Sequence, residues 1–372
     1  MLDILKDAIQ SSLNKQITYE QFMNRVLYHE NKGYYMKDQV KVGKEGDFIT
    51  SSNISNVFGK LFATLFHKLI ALEKISPYIC EIGGGNGRFA KAVLDELQDS
   101  YIDTFQKITY IIIETSPYHQ HLQQDILPVG KKVIQYQSLD EAKRDFPIFH
   151  GIVFSNELFD AFPVRVIEKK DHNLYEVNIT LTEEEQLTEI LTPLTDEGIK
   201  KYINTNKIVL TNGQRIEIPL QMLSYLEDLS SLLGDAVIFT VDYGYTNAEW
   251  EEPARKRGSL RGYYNHQLIH NPLEHPGEMD LTTHIHFDAL VTYSSKLGLE
   301  LVKKCRQDEF LLEAGILTFL QENFDPNPFS EKSKQNRAIR SLIMDSGMSA
   351  AFHVLIQQKN VKVSWENIFQ GK

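Results

Sequence analysis

The stretch Tyr78-Ile79-Cys80-Glu81-Ile82 is apolar and runs directly into Gly83-Gly84-Gly85-Asn86-Gly87, after which Phe89 to Leu97 reads as a helix. A strand that breaks into glycines and reopens as a helix is a repeating unit of a parallel α/β sheet. Glycine lets such a turn take positive φ and lets a ligand approach the backbone without meeting a Cβ, while the start of the helix offers free N–H groups. A bare glycine cluster is also what an ordinary surface turn looks like. The strand before it and the helix after it point to a nucleotide-like ligand instead. The spacing is not that of a dinucleotide fingerprint, which needs its third glycine where Arg88 stands. The pattern here is E-x-G-x-G-x-G, with Glu81, Gly83, Gly85 and Gly87.

A chain of 372 residues, 42% of them hydrophobic, can bury one large core or two ordinary ones. Its 39 Lys and Arg against 50 Asp and Glu leave a formal net charge of −11. That balance gives no general attraction to nucleic-acid phosphates or anionic membranes and suits a cationic substrate. Cys80 and Cys305 both lie in apolar runs and form no spaced pair, so they read as buried thiols of a reducing compartment. Leu2, Leu5, Ile9 and Leu13 repeat at helical spacing, but Asp3 and Asp7 interrupt any signal or transit pattern. No apolar run approaches the roughly 20 residues that span a bilayer.

In chain order, residues 1–75 read as a helical cap with one irregular loop. Thr18 followed by Gln21 is a capping box for a helix to about Tyr28. The glycine-, hydroxyl- and aromatic-rich segments Asn31 to Tyr35 and Gly43 to Ser52 have the composition of a binding loop, and equally of any loop. Val57, Leu61, Leu65, Leu69 and Leu72 then mark an amphipathic helix leading to the glycine turn.

After the turn, strands and helices alternate. Ile108 to Ile113 is a buried strand ending at Glu114, where an acidic side chain can accept from both ribose hydroxyls of a nucleoside; a helix-start acid before Ser116-Pro117 is the other reading. Lys132 to Tyr136 is a third strand, and Gln137 to Leu139 would lie near an adenine. Gly151 to Ser155 is the fourth, closing on Asn156, Glu157 and Asp160. Ligands in such sheets bind outside the carboxyl ends of the strands, so these three are candidates for chemistry, with capping by Asn156 and acids in a first helical turn as the alternative. Alternation from Val164 to about Glu189 predicts an inserted hairpin or meander, serving as a lid or a dimer arm. Ala236 to Val241 is the fifth strand. Arg255 to Phe287 is a long loop able to cover a site. Its His266, His284 and His286 have no carboxylate or cysteine at ligand spacing, so no metal site is expected. Leu299 to Cys305 and Phe352 to Gln358 complete a seven-stranded sheet, interrupted by helices near Phe310–Gln321 and Lys332–Met344.

Seven separated motifs together resemble the MidA family of class I S-adenosylmethionine (SAM) methyltransferases. They are Gly33-Tyr34-Tyr35; Gly46 to Ser51; Glu81 to Gly87; Asn156-Glu157 with Asp160, Ala161 and Pro163; Asp242 to Tyr245; Gly258 to Tyr264 with His266; and Pro276-Gly277 with Asp280-Leu281-Thr282 and His284. The family includes a mitochondrial complex I assembly methyltransferase that modifies a protein arginine. The resemblance implies a Rossmann-like α/β fold with an N-terminal helical cap over residues 1–75. The methyltransferase core would span 76–360, with insertions at 164–235 and 309–346, and 361–372 would be a tail. It implies SAM as cofactor, held by Glu81, Gly83, Gly85, Gly87, Glu114, Asp47 and Thr50. The acceptor would be an arginine of a partner protein, with Glu157, Asp160 and Asn156 as catalytic residues, and a homodimer is compatible with it. His286 stands where the family is expected to have an acidic residue, and the transit segment of mitochondrial members is missing, so a cytoplasmic protein is expected. A SAM-dependent enzyme acting on a small molecule and a non-catalytic SAM-binding assembly factor remain alternatives.

Overall fold

The computed structural model describes residues 1–39, 41, 56–322, 327, 329–344 and 351–369. Two compact units emerge from it. One comprises Ile49–Leu158, Asp228–Tyr243 and Ser294–Lys372; the other comprises Met1–Phe48, Phe159–Glu227 and Gly244–Tyr293.

The first unit is built on the apolar runs. Its strands are β1 (Tyr78–Ile82), β2 (Thr109–Ile113), β3 (Val133–Tyr136), β4 (Phe149–Asn156), β5 (Leu233–Tyr245, whose last two residues belong to the other unit), β6 (Glu300–Arg306) and β7 (Phe352–Lys359). They are ordered β6-β7-β5-β4-β1-β2-β3. β7 runs antiparallel to both neighbours, and the pairs from β5 through β3 are parallel. Parallel strands covered on both faces need side chains that are apolar on both, which is why Tyr110, Ile111 and Ile112 are all buried in sequence. The strand order reverses between β1 and β4, and the glycine turn and Asn156 lie at the carboxyl ends of these two strands, where open α/β sheets bind ligands.

Helix α1 (Asn56–Ala71) packs on α2 (Arg88–Ser100) at Gly59, where a Cβ would stand 2.6 Å from that of Ala92. Leu72, placed in the helical stripe by its spacing, falls one residue past the end of α1 and is exposed. Phe62 sits among Phe58, Phe66, Phe89, Phe154, Phe239 and Phe310. The expected tail is not loose along its described length. Trp365–Phe369 is a short helix, its Ile368 is buried in the same core, and Lys68 donates to the Ile368 carbonyl at 2.8 Å.

The second unit joins segments far apart in sequence. Ile17–Thr18 pairs antiparallel with Asn173–Leu181, which also pairs with Arg165–Lys170 and Leu187–Pro193, while Arg215–Ile218 extends the sheet. The helices Leu2–Ser11 and Tyr19–Tyr28 bury Leu5, Ile9, Phe22, Met23 and Val26 with Val166, Val177 and Ile179. The expected helical cap therefore shares a core with the inserted strands. Thr18 and Gln21 form the capping box. The expected loop from Arg255 contains a three-stranded antiparallel sheet of Arg261–Tyr264, Gln267–Ile269 and Asp280–Thr282. Its hairpin turns on Asn265-His266, with φ of +49 and +61. Among the described residues no helix is long and apolar enough to cross a membrane.

Candidate active site

β1 ends at Ile82, and the chain turns through Gly83, whose N–H donates to the Ile113 carbonyl at the end of β2, 2.8 Å away. Gly85 has a φ of +50, and a Cβ built on it would meet nothing within 4 Å among the described residues, so none of them covers its outer face. Gly87, with φ +79, caps α2 and faces inward, where a Cβ would lie 2.9 Å from Gln123 Cγ. One glycine thus leaves room outside the fold and the other removes a clash inside it.

Glu114 stands at the end of β2 and faces this turn. Its Oε2 accepts from the Gly85 N–H and its Oε1 from the Ser116 N–H, each at 2.8 Å. The side-chain cap of α3 (Pro117–Ile126) is Ser116, which accepts from the His119 N–H, while Glu114 holds the N–H of that cap residue with one oxygen and reaches the glycine turn with the other. Glu81 is 4% exposed and accepts from the Tyr110 hydroxyl at 2.8 Å. Burial pushes its carboxyl up to about 8 against the opposing Tyr110 bond, with a smaller push from Glu114. Glu81 therefore faces into the sheet, bonded to Tyr110 on β2.

At the end of β4, Asn156 donates to Glu157 Oε1 at 3.0 Å, and Asn156 Oδ1 is buried with no hydrogen-bond partner among the described residues. Glu157 has a φ of +52, and its N–H donates to Val241 on β5 at 2.9 Å. No helix follows, so the capping alternative for these residues does not apply. Asp160 belongs to the second unit. It is buried, and its carbonyl accepts from the Thr283 N–H at 2.8 Å. The sites proposed at Asp47 and Thr50 lie outside the described residues.

Within the second unit His284 stacks on Tyr245, with ring centroids 4.3 Å apart, and Arg255 lies over the same tyrosine ring. His286 Nδ1 is 2.8 Å from the Tyr202 hydroxyl. Burial lowers both histidines to about 3, helped at His284 by Arg261 and Arg255, so both are neutral at pH 7. Among the described residues no group of three or more His, Cys, Asp or Glu is gathered as a metal site.

Sequence reasoning missed Gln123, which is fully buried and donates to the Gly85 carbonyl at 2.7 Å. A signal was present: the buried positions of α3 are His119 and Gln123, where a packing helix ordinarily carries apolar residues.

The sheet order, the antiparallel β7 and a glycine turn at the carboxyl edge define a Rossmann-like α/β fold of the class I methyltransferase kind. The chain belongs to the family described as "Putative S-adenosyl-L-methionine-dependent methyltransferase", whose model matches residues 58–304. It is 26% identical over 303 residues to the mitochondrial protein arginine methyltransferase NDUFAF7 of Rattus norvegicus, a match covering 74% of this chain and 65% of that protein's length. The Danio rerio protein of the same name is 23% identical over 375 residues, covering 90% of this chain and 82% of the relative. A crystal structure of a Burkholderia thailandensis protein bound to S-adenosyl-homocysteine superposes with a TM-score of 0.87 at 23% identity, covering 100% of this chain and 95% of that one.

Proposed function

We propose that the protein methylates an arginine side chain of a partner protein, with SAM as methyl donor. The observation that carries the cofactor reading is the Gly85 turn, open on its outer face and tied through its N–H to the Glu114 carboxylate. These residues fit SAM. The open face of Gly85 admits a ligand where any side chain would intrude, and Glu114 brings a carboxylate suited to ribose hydroxyls to the same place. The buried Oδ1 of Asn156, at the carboxyl end of a strand beside the switch point, suits a donor from the ligand. Bound SAM would supply an electrophilic methyl on a sulfonium, and the chain's residues would align the acceptor and exclude water.

The arginine acceptor is supported by the similarity to the protein arginine methyltransferase NDUFAF7 and by the acidity of this chain. A guanidinium stays protonated in water, so a residue that holds it must be an anion able to accept paired hydrogen bonds. Glu157, oriented by the Asn156 amide, takes that role, and Asp160 is the second candidate. As the guanidinium nitrogen takes the methyl, the sulfonium departs as a neutral thioether, and the proton that nitrogen gives up passes to the carboxylate and on to solvent. Purified protein incubated with labelled SAM and lysate from a strain lacking it, beside the same lysate without the protein, tests the assignment. Label should appear as methylarginine in a protein band. Glu157→Gln should cut transfer by about 10²-fold with SAM affinity retained, as for loss of one preorganised electrostatic partner. Label confined to small molecules would overturn the protein acceptor. No transfer together with normal SAM binding would mark a binder without catalysis.

A further inference from the structure

Gly85 is held at both of its backbone polar groups, one in each of its two flanking peptide planes. Glu114 accepts from its N–H, and Gln123 donates to its carbonyl from the middle of α3. Gln123 is itself held, because its Oε1 accepts from Gln135 Nε2 at 2.7 Å, and the same nitrogen donates to the Gln120 carbonyl at 3.0 Å. Gln124 Nε2 then donates to Gln135 Oε1 at 3.1 Å, and Gln120 Nε2 to the Glu114 carbonyl at 2.7 Å. The orientation of these amides follows from their neighbours. Backbone carbonyls can only accept, so Gln120, Gln123 and Gln135 must each turn an NH2 toward one. The Gln123 oxygen is thereby left facing the second proton on Gln135 Nε2.

We infer that Gln123, locked by Gln135, is a positioning residue for the cofactor: by holding the carbonyl side of Gly85 while Glu114 holds its N–H, it fixes the turn and so sets the gap between the glycine turn and the ribose-binding carboxylate. The inference rests on the SAM reading of this turn. Three glutamines of α3 and one of β3 tie together the two segments that would hold the ligand, and none of them needs to touch it. Gln123 is the buried member of this chain, with both its oxygen and its nitrogen bonded, and a buried amide so held costs more when its bonds are broken than an apolar contact of the same size. An apolar residue at 123 would fill the space beside Gly87 equally well, so packing alone does not account for a glutamine there.

The test is calorimetric titration of the full chain with SAM. Gln123→Leu should bind about tenfold more weakly, the equivalent of losing one hydrogen bond, with its thermal midpoint showing that it is folded. Gln123→Glu supplies a readout that a packing role would not move. Only the protonated carboxyl can donate to the Gly85 carbonyl, so affinity relative to wild type at the same pH should be poor at pH 8.5 and recover about fivefold or more by pH 5.5. If Gln123→Leu fails to fold, Gln135→Leu, which frees the Gln123 oxygen, should still weaken SAM about threefold. Wild-type affinity in folded Gln123→Leu, or a ratio for Gln123→Glu that does not change with pH, would overturn the proposal while leaving the SAM reading intact. A wild-type chain that takes up no SAM would sink both.

Discussion

Glu114 is the residue on which the ligand reading turns most sharply, since one carboxylate serves both Gly85 and Ser116. Glu114→Ala should weaken SAM by about 1–3 kcal/mol, the range for hydrogen bonds to a charged group, and calorimetry reads it directly. Two buried groups also set opposite limbs of the pH–stability curve. Glu81 titrates higher in the fold, near 8, than the ordinary 4.5, so its contribution is present below 4.5 and is lost as pH rises through 8. His286 is lowered from 6.5 to about 3, so the unfolded chain takes up the proton first and stability is lost as pH falls from 6.5 toward 3. Thermal melts of Glu81→Gln should therefore gain on the wild type more at pH 8.5 than at pH 5. Melts of His286→Gln should lose less than the wild type between pH 7 and pH 5. A variant whose offset from wild type is the same at both pH values would show that its group does not titrate between fold and unfolded chain.

At the scale of elements, the approach of α1 to α2 depends on Gly59, because any Cβ there would press on Ala92. Gly59→Leu should lower stability by roughly 1–3 kcal/mol, the cost of overpacking, against about 1 kcal/mol for removing the Thr18 cap with Thr18→Ala. Denaturant titration separates the two, and equal small losses would mean that the helices can part without strain. The central strands of the first unit, β1, β2, β4 and β5, were legible because both of their faces are buried, which writes continuous apolar runs into the chain. The three-stranded sheet within 255–287 was not. Its hairpin uses Asn265-His266 at positive φ in place of the Asn-Gly pair that announces such turns, and its strands are only three or four residues long. Gln123 escaped for a similar reason. Nothing local to α3 says that its buried face meets the carbonyl of a turn 38 residues earlier.

For the whole molecule, the glycine turn and Glu114 were legible as separate signals, and the fold supplied their hydrogen bond. The sharing of one core by the N-terminal helices and the inserted strands was not legible, since Ile17–Thr18 is a two-residue strand whose partner lies beyond the whole first half of the sheet. The central claim is that this turn is a SAM site, and titration of wild type and Gly85→Val with SAM tests it most directly, with NADH as the control ligand. A valine at 85 places a branched side chain in the open space over the turn and strains a position at φ +50. The account predicts that the wild type binds SAM and not NADH, and that the variant stays folded with a somewhat lower thermal midpoint and binds no SAM. A folded variant with unchanged SAM affinity would contradict it.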